Sequence, residues 1–104
     1  MTAPERGEVW LVDLGMAAKV RPCVVFSIPV LDAERALTTA ITHTTSTRGT
    51  RFEVSLQVPF LRAGVFDAQN IITVPHAKYI RRLGKLNATQ MLAVEDAVLL
   101  WLGF

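Results

Sequence analysis

Arg21 stands immediately before Pro22, at the head of the apolar run Cys23–Ser27. A guanidinium forks two donors onto a phosphate and stays charged at any relevant pH. Taken alone, an arginine in that place is more often a strand-end charge facing water. A second feature is the run Thr42-His43-Thr44-Thr45-Ser46-Thr47, at a strand-to-loop junction. Small hydroxyls and loop amides hold a phosphate oxygen or orient a ribose hydroxyl. The same run also fits an ordinary polar turn, which is the commoner case. Cys23 lies among apolar residues with no charged side chain beside it, and reads as a buried small hydrophobe rather than a nucleophile. His43 and His76 read as structural or surface residues. The chain has no glycine-rich phosphate loop, no paired carboxylates at useful spacing and no nucleophile elbow. One cysteine excludes an internal disulfide and a multi-cysteine zinc site. With two histidines and no HExxH, neither a metal nor a cofactor is expected.

Positioning these groups falls to a set of short strands. Gly7–Leu14 is rich in strand formers, and Gly15–Lys19 reads as a tight turn. Arg21–Ser27 is a second strand, with Pro22 tolerated at its start. Ala36–Thr44 is a third, dense in β-branched residues. Phe52–Val58 alternates cleanly, placing Phe52, Val54, Leu56 and Val58 on one face, and predicts a fourth. Asn70–Val74 predicts a fifth; Pro75 interrupts it, and His76–Ile80 continues after a bend. On that reading Arg81 and Arg82 follow the last strand and face elsewhere. Asn87 sits where a helix N-cap belongs, and Gln90 three residues later completes a capping box. Met91, Val94, Val98 and Trp101 recur at helical spacing, Leu99 and Leu102 widen that face, and Gly103 ends the helix. Five or six closely spaced strands and one amphipathic helix predict a small barrel or strongly bent sheet.

The 104 residues make one domain, and 51 % apolar residues with a mean hydropathy of +0.35 exclude a disordered chain. No apolar run approaches a membrane span, and residues 1–8 lack a signal pattern, so a cytoplasmic protein is expected. Net charge is +2, unevenly spread. Between Arg48 and Lys85 there are seven bases and two acids, Glu53 and Asp67, which suits a phosphate-bearing or acidic partner as well as it suits a solvated surface.

Several segments together resemble the MazF/PemK toxins. Arg6–Leu14 followed by Lys19–Ser27 looks like the opening of that family, and Thr44–Val54 is similar to its third-to-fourth-strand segment. Phe66–Ile72 and the Leu83–Leu86 turn into a C-terminal helix also fit. The resemblance covers nearly the whole chain, in order.

It implies an SH3-like β-barrel with a C-terminal helix, mainly β, forming a homodimer. It implies a metal-independent endoribonuclease that cuts single-stranded RNA and is held inactive by a cognate antitoxin. By the family's motif Arg21 matches the catalytic arginine and Thr44 the catalytic threonine. Thr42 is a rival on the same strand face. RNA carries its own nucleophile, the 2′-OH, so alignment and charge stabilisation suffice. Lys19, Thr45, Arg48, Arg51 and Lys78 are the expected RNA-binding residues, with Arg48 and Arg51 favoured because they flank the hydroxyl run. Trp10 and Phe52 have faces that stack on bases, but both sit in core patterns. The same fold without catalysis, binding RNA or an antitoxin, is the alternative. The chain departs from the family in its first loop: only Gly15–Val20 intervenes before Arg-Pro, without the polar stretch that covers RNA in many members.

Overall fold

Runs rich in β-branched residues build three consecutive antiparallel strands. These are β1 (Glu8–Asp13), β2 (Val20–Val25) and β3 (Leu37–Thr44). The structure is a computed structural model and describes residues 3–15, 17 and 19–104. Met16 and Ala18, part of the expected first turn, lie outside the described residues. On either side of them the chain is held by Leu14 N–H donating to Lys19 O at 2.8 Å, with Gly15 (φ 72°) and Lys19 (φ 56°) in left-handed conformations.

β3 also pairs with β5 (Val65–Pro75), which carries the two-residue β4 (Glu53–Val54) on its far edge. β6 (Tyr79–Lys85) returns to pair with β1, so the six-stranded antiparallel sheet runs β4-β5-β3-β2-β1-β6. One helix, α1 (Ala88–Leu102), follows. The architecture is therefore mainly β with a C-terminal helix, as the sequence predicts.

Two strands differ from expectation. Phe52–Val58 does turn Phe52, Val54, Leu56 and Val58 toward one core, but only Glu53–Val54 joins a ladder. The rest binds through side chains. Phe60 lies so close to Gly84 of β6 that a Cβ there would fall 2.4 Å from its ring. Segment 55–64 thus bridges the two edge strands, β4 and β6, and side-chain packing completes the barrel-like form. The last strand runs Tyr79–Lys85 rather than ending at Ile80, because His76–Lys78 forms a single 3₁₀ turn after Pro75. Arg81 and Arg82 are consequently within the sheet, not beyond it.

Consecutive residues of the central strands are buried, their side chains alternating between two cores, one on each face. Val9, Val24, Ile41, Phe66 and Ala68 meet Met91, Val94, Ala97 and Val98 of α1. Trp10, Val12, Cys23, Val25 and Ala40 pack with Tyr79 on the other face. The Tyr79 hydroxyl is buried and donates to Thr38 O at 3.0 Å, which removes the cost of an unmade hydrogen bond.

The helix starts where expected. Asn87 Oδ1 accepts from Gln90 N–H at 2.8 Å and Gln90 Oε1 from Asn87 N–H at 2.9 Å, a reciprocal cap; losing such a cap typically costs about 1 kcal/mol. Gly103 ends it in a left-handed turn, φ 83°. Its buried stripe is narrower than the spacing predicts: Leu99, Trp101 and Leu102 are exposed.

Candidate functional site

The register of β2 on β3 decides where chemistry sits. Cys23 pairs with Thr42, and the same register carried two residues further sets Arg21 beside Thr44. Period-two alternation keeps all four on one face. Arg21, Thr42 and Thr44 line one cleft of about 480 Å³ together with Ser46, Arg48, Thr50, Glu53, Asp67, Gln69, Asn70 and Trp101. Thr42 is buried and engaged with the Cys23 thiol, Sγ to Oγ1 3.8 Å. Thr44 is half-buried, and its Oγ1 accepts from Ser46 N–H at 3.1 Å while remaining on the cleft wall. Of the two threonines Thr44 is the one a ligand reaches.

The loop beyond Thr44 is built around a carboxylate. Glu53 Oε1 accepts from the backbone N–H of Gly49 at 2.8 Å and of Thr50 at 3.3 Å, and its Oε2 from Arg48 N–H at 2.9 Å. Gly49 takes the left-handed conformation the turn needs, φ 73°. The Arg48 N–H bond leads in holding the carboxyl below the usual carboxylate range; desolvation opposes it, and the Gly49 and Thr50 N–H groups and the Arg48 charge add to the lowering. Because the pKa is lowered on folding, the contribution is fully present above the ordinary glutamate value. It is lost as pH falls below about 4 and through the lowered value. Protection from amide exchange, taken relative to the intrinsic rate at each pH, should therefore fall at Arg48, Gly49 and Thr50 in acid. Glu53→Gln should show several-fold faster exchange at pH 7, since a neutral acceptor makes weaker bonds. Equal protection in both proteins at pH 7, measured by NMR exchange, would contradict that role.

Arg21 also lines a second cleft, of about 520 Å³, with Leu11, Pro22, His43, Thr45, Phe60, Leu61, Arg62, Arg81 and Leu83. His43 is 3 % exposed, stands edge-on to Phe66 at 5.0 Å, and its Nε2 has no hydrogen-bond partner among the described residues. Burial holds its imidazole below the ordinary histidine range, so it is neutral at pH 7. Cys23 is fully buried and its thiol is pushed up to about 12 by burial, outweighing the Thr42 bond and the Arg21 charge. It is not a nucleophile at neutral pH.

Of the residues expected to bind RNA, Arg48 joins Arg21 and Thr44 in the first cleft and Thr45 lines the second. Arg51 lies over the Phe52 ring at 4.8 Å and faces a separate groove beside Asp96. Lys19 sits in the β1–β2 turn and Lys78 in the 3₁₀ turn; neither lines these clefts. Trp10 is core, whereas Phe52 is half-buried and meets the Trp101 ring at 5.3 Å. Sequence reasoning missed Arg62 and Arg81, and likewise Asp67, Gln69, Asn70 and Trp101. The fifth strand begins at Val65, five residues before the expected Asn70, which places Asp67 and Gln69 on the strand rather than before it. Among the described residues no group of three or more His, Cys, Asp or Glu side chains could hold a metal ion, and no helix is long and apolar enough to cross a membrane.

This arrangement has solved counterparts. An endoribonuclease from a mycobacterial species, in complex with its cognate antitoxin, superposes with a TM-score of 0.84 at 26 % identity, covering 98 % of this chain and 97 % of that one. The Mycobacterium tuberculosis toxin MazF-mt6 matches at 0.80 and 25 % identity, covering 93 % and 97 %. MazF of a MazE–MazF structure from Deinococcus radiodurans shares the fold at 0.83, with 21 % identity and 100 % and 99 % coverage. The sequence model of the PemK-like, MazF-like toxins of type II toxin-antitoxin systems matches residues 5–102, and this chain belongs to that family.

Proposed function

We propose that this chain is the endoribonuclease toxin of a type II toxin-antitoxin pair, cutting single-stranded RNA, mRNA foremost, without a metal. The observation that supports it most is that Arg21 and an accessible Thr44 line one cleft, on adjacent strands whose register runs toward both residues. In this reading the ribose 2′-OH adjacent to the scissile phosphate attacks phosphorus, releasing its proton to solvent water, and the bond to the 5′-oxygen breaks as that oxygen takes up a proton. Arg21 stabilises the charge that gathers on the phosphorane oxygens. A guanidinium is a donor with no acceptor site for the 2′ proton, and donation to the leaving 5′-oxygen is its second role. Thr44 hydrogen-bonds the phosphate or the 2′-OH and fixes the line of attack. The products are a 2′,3′-cyclic phosphate and a 5′-hydroxyl.

A cognate antitoxin is the natural partner of a family toxin, and its action on this chain belongs to the same proposal. The exposed Leu99, Leu100, Leu102 and Phe104 at the end of α1 suit a contact with a second copy, consistent with a homodimer. RNA as substrate places the protein in the cytoplasm. The short β1–β2 turn favours one alternative, a module of the same fold that binds RNA or antitoxin without cutting.

Incubation with a long single-stranded RNA in EDTA, beside a DNA copy of the same sequence, separates the two. Discrete RNA fragments with intact DNA support the ribonuclease. RNA binding without fragments supports the module.

A further inference from the structure

Three guanidinium-bearing residues from separate parts of the chain line the second cleft: Arg21 from β2, Arg62 from the bridging segment and Arg81 from β6. Among the described residues no carboxylate lines it. Among the described residues the ion pairs are Arg6 with Glu95 and Arg82 with Glu8, so Arg62 and Arg81 are left without an acidic partner. Like charges lining one cleft repel each other, and an anion seated there relieves that repulsion. Thr45 adds a hydroxyl, and the wall includes His43, whose buried Nε2 lacks a partner. The first cleft differs in kind. Glu53 and Asp67 line it, carboxylates that repel phosphate and accept from base edges, with Gln69 and Asn70, whose neutral amides pair with base edges.

We infer that the second cleft holds the RNA phosphate next to the scissile one, with Arg62 and Arg81 as its ligands and Arg21 shared between the two phosphates. The inference rests on the ribonuclease reading and deepens it. Arg21 lines both clefts, so a strand with its scissile phosphate on Arg21 continues into the second cleft in one direction and into the acceptor-rich cleft in the other. Phosphate contacts position a strand without reading it. Affinity and register therefore belong to the second cleft, and base preference to the first.

The test uses the full chain and an RNA made uncleavable by a single 2′-deoxy sugar at the cut. Each phosphate flanking the scissile one is replaced in turn by a neutral methylphosphonate. For the native protein one of the two replacements should weaken binding about tenfold, and for the double variant Arg62→Ala/Arg81→Ala neither should matter. The double variant should bind the unmodified RNA about tenfold more weakly. Its salt dependence should be shallower by about 0.7 in the log–log slope, the value for one single-strand phosphate contact. Arg62→Lys/Arg81→Lys should restore most of the slope, which a merely structural role would not do. The control Arg35→Ala, in the exposed loop at the far end of β3, should match the native protein.

Equal sensitivity of native protein and double variant to both methylphosphonates overturns the inference. So does unchanged RNA affinity combined with loss of binding to an acidic peptide, which would make the cleft a protein-docking site. A native protein that neither binds nor cuts RNA overturns the ribonuclease reading itself. Cleavage that is lost in Arg21→Ala but untouched in the double variant leaves that reading standing and removes only this one.

Discussion

Arg21→Ala should lower the single-turnover cleavage rate by about a thousandfold or more while the protein stays folded. Removing one neutral oxyanion donor costs about 10²–10³ in rate, and an arginine acting on a transferring phosphoryl group is worth about 10³–10⁵. Arg21 is a charged donor on phosphorus, so the loss belongs in the overlap of those ranges or above it. The side chain is exposed at the head of β2 and makes no ion pair among the described residues, so stability should move by no more than about 0.5 kcal/mol. Arg21→Lys keeps the charge but not the two-pronged donor, and should recover only part of the rate. Affinity for an uncleavable RNA should fall far less than the rate, since the interaction strengthens as charge develops on phosphorus. Single-turnover kinetics beside equilibrium binding reads both quantities. A rate loss under tenfold would remove Arg21 from the chemistry.

Gly64→Ala is expected to damage stability and cleavage together. A Cβ at Gly64 would fall 2.3 Å from Thr44 O and 2.8 Å from His43 Cε1. The first of those is backbone, in the ladder where Thr44 pairs with Val65, so relief requires the β3–β5 ends to part. Overpacking of this kind costs about 1–3 kcal/mol, and a backbone clash belongs at the upper end. The displaced residue is Thr44 itself. A misplacement on the order of 1 Å near reacting groups costs about a hundredfold in rate. Gly103→Ala separates the two effects. Nothing lies within 4 Å of a Cβ there, but φ is 83°, so it should lose about 1 kcal/mol through backbone strain alone and cut RNA at the native rate once folded. Urea unfolding midpoints and cleavage rates of the three proteins check both claims. Native cleavage by a folded Gly64→Ala would contradict the close coupling of Gly64 to the site.

The parts of this fold that sequence predicts well are the ones written locally. Asn87, Gln90 and Gly103 carry their own capping chemistry, and β1 to β3 are short runs of strand formers bounded by turn residues. Phe52–Val58 shows the limit of period-two reading. Alternation reports which side chains face a core, and Val54, Leu56 and Val58 do face one. It does not report whether a neighbouring backbone is within hydrogen-bonding reach, and beyond Val54 none pairs in a ladder. The extent of β6 was hidden by Pro75 and the 3₁₀ turn, which break a pattern that then resumes.

The site divides in the same way. Arg21 and Thr44 were legible through family motifs, and their proximity follows from the register between adjacent strands. Arg62 and Arg81 were not. Arg81 reaches its cleft because Leu11 pairs with it across β1 and β6, seventy residues apart in the chain, and Arg62 because Phe60 packs on Gly84. No local pattern encodes either meeting. Basic residues chosen for closeness in sequence, such as Lys19 beside Arg21 and Arg51 beside the hydroxyl run, lie outside both clefts, because a strand or turn carries near neighbours to different faces.

The central claim is that Arg21 and Thr44 act on a phosphate attacked by its own 2′-OH. The most direct measurement is cleavage, in EDTA, of one RNA with a single 2′-deoxy sugar placed at the cut, with the fragment ends identified by mass. Full RNA should yield a 2′,3′-cyclic phosphate and a 5′-hydroxyl, and the single 2′-deoxy substitution should abolish that cut while leaving binding intact. Continued cutting at the substituted position, or fragments bearing a 5′-phosphate, would contradict the account.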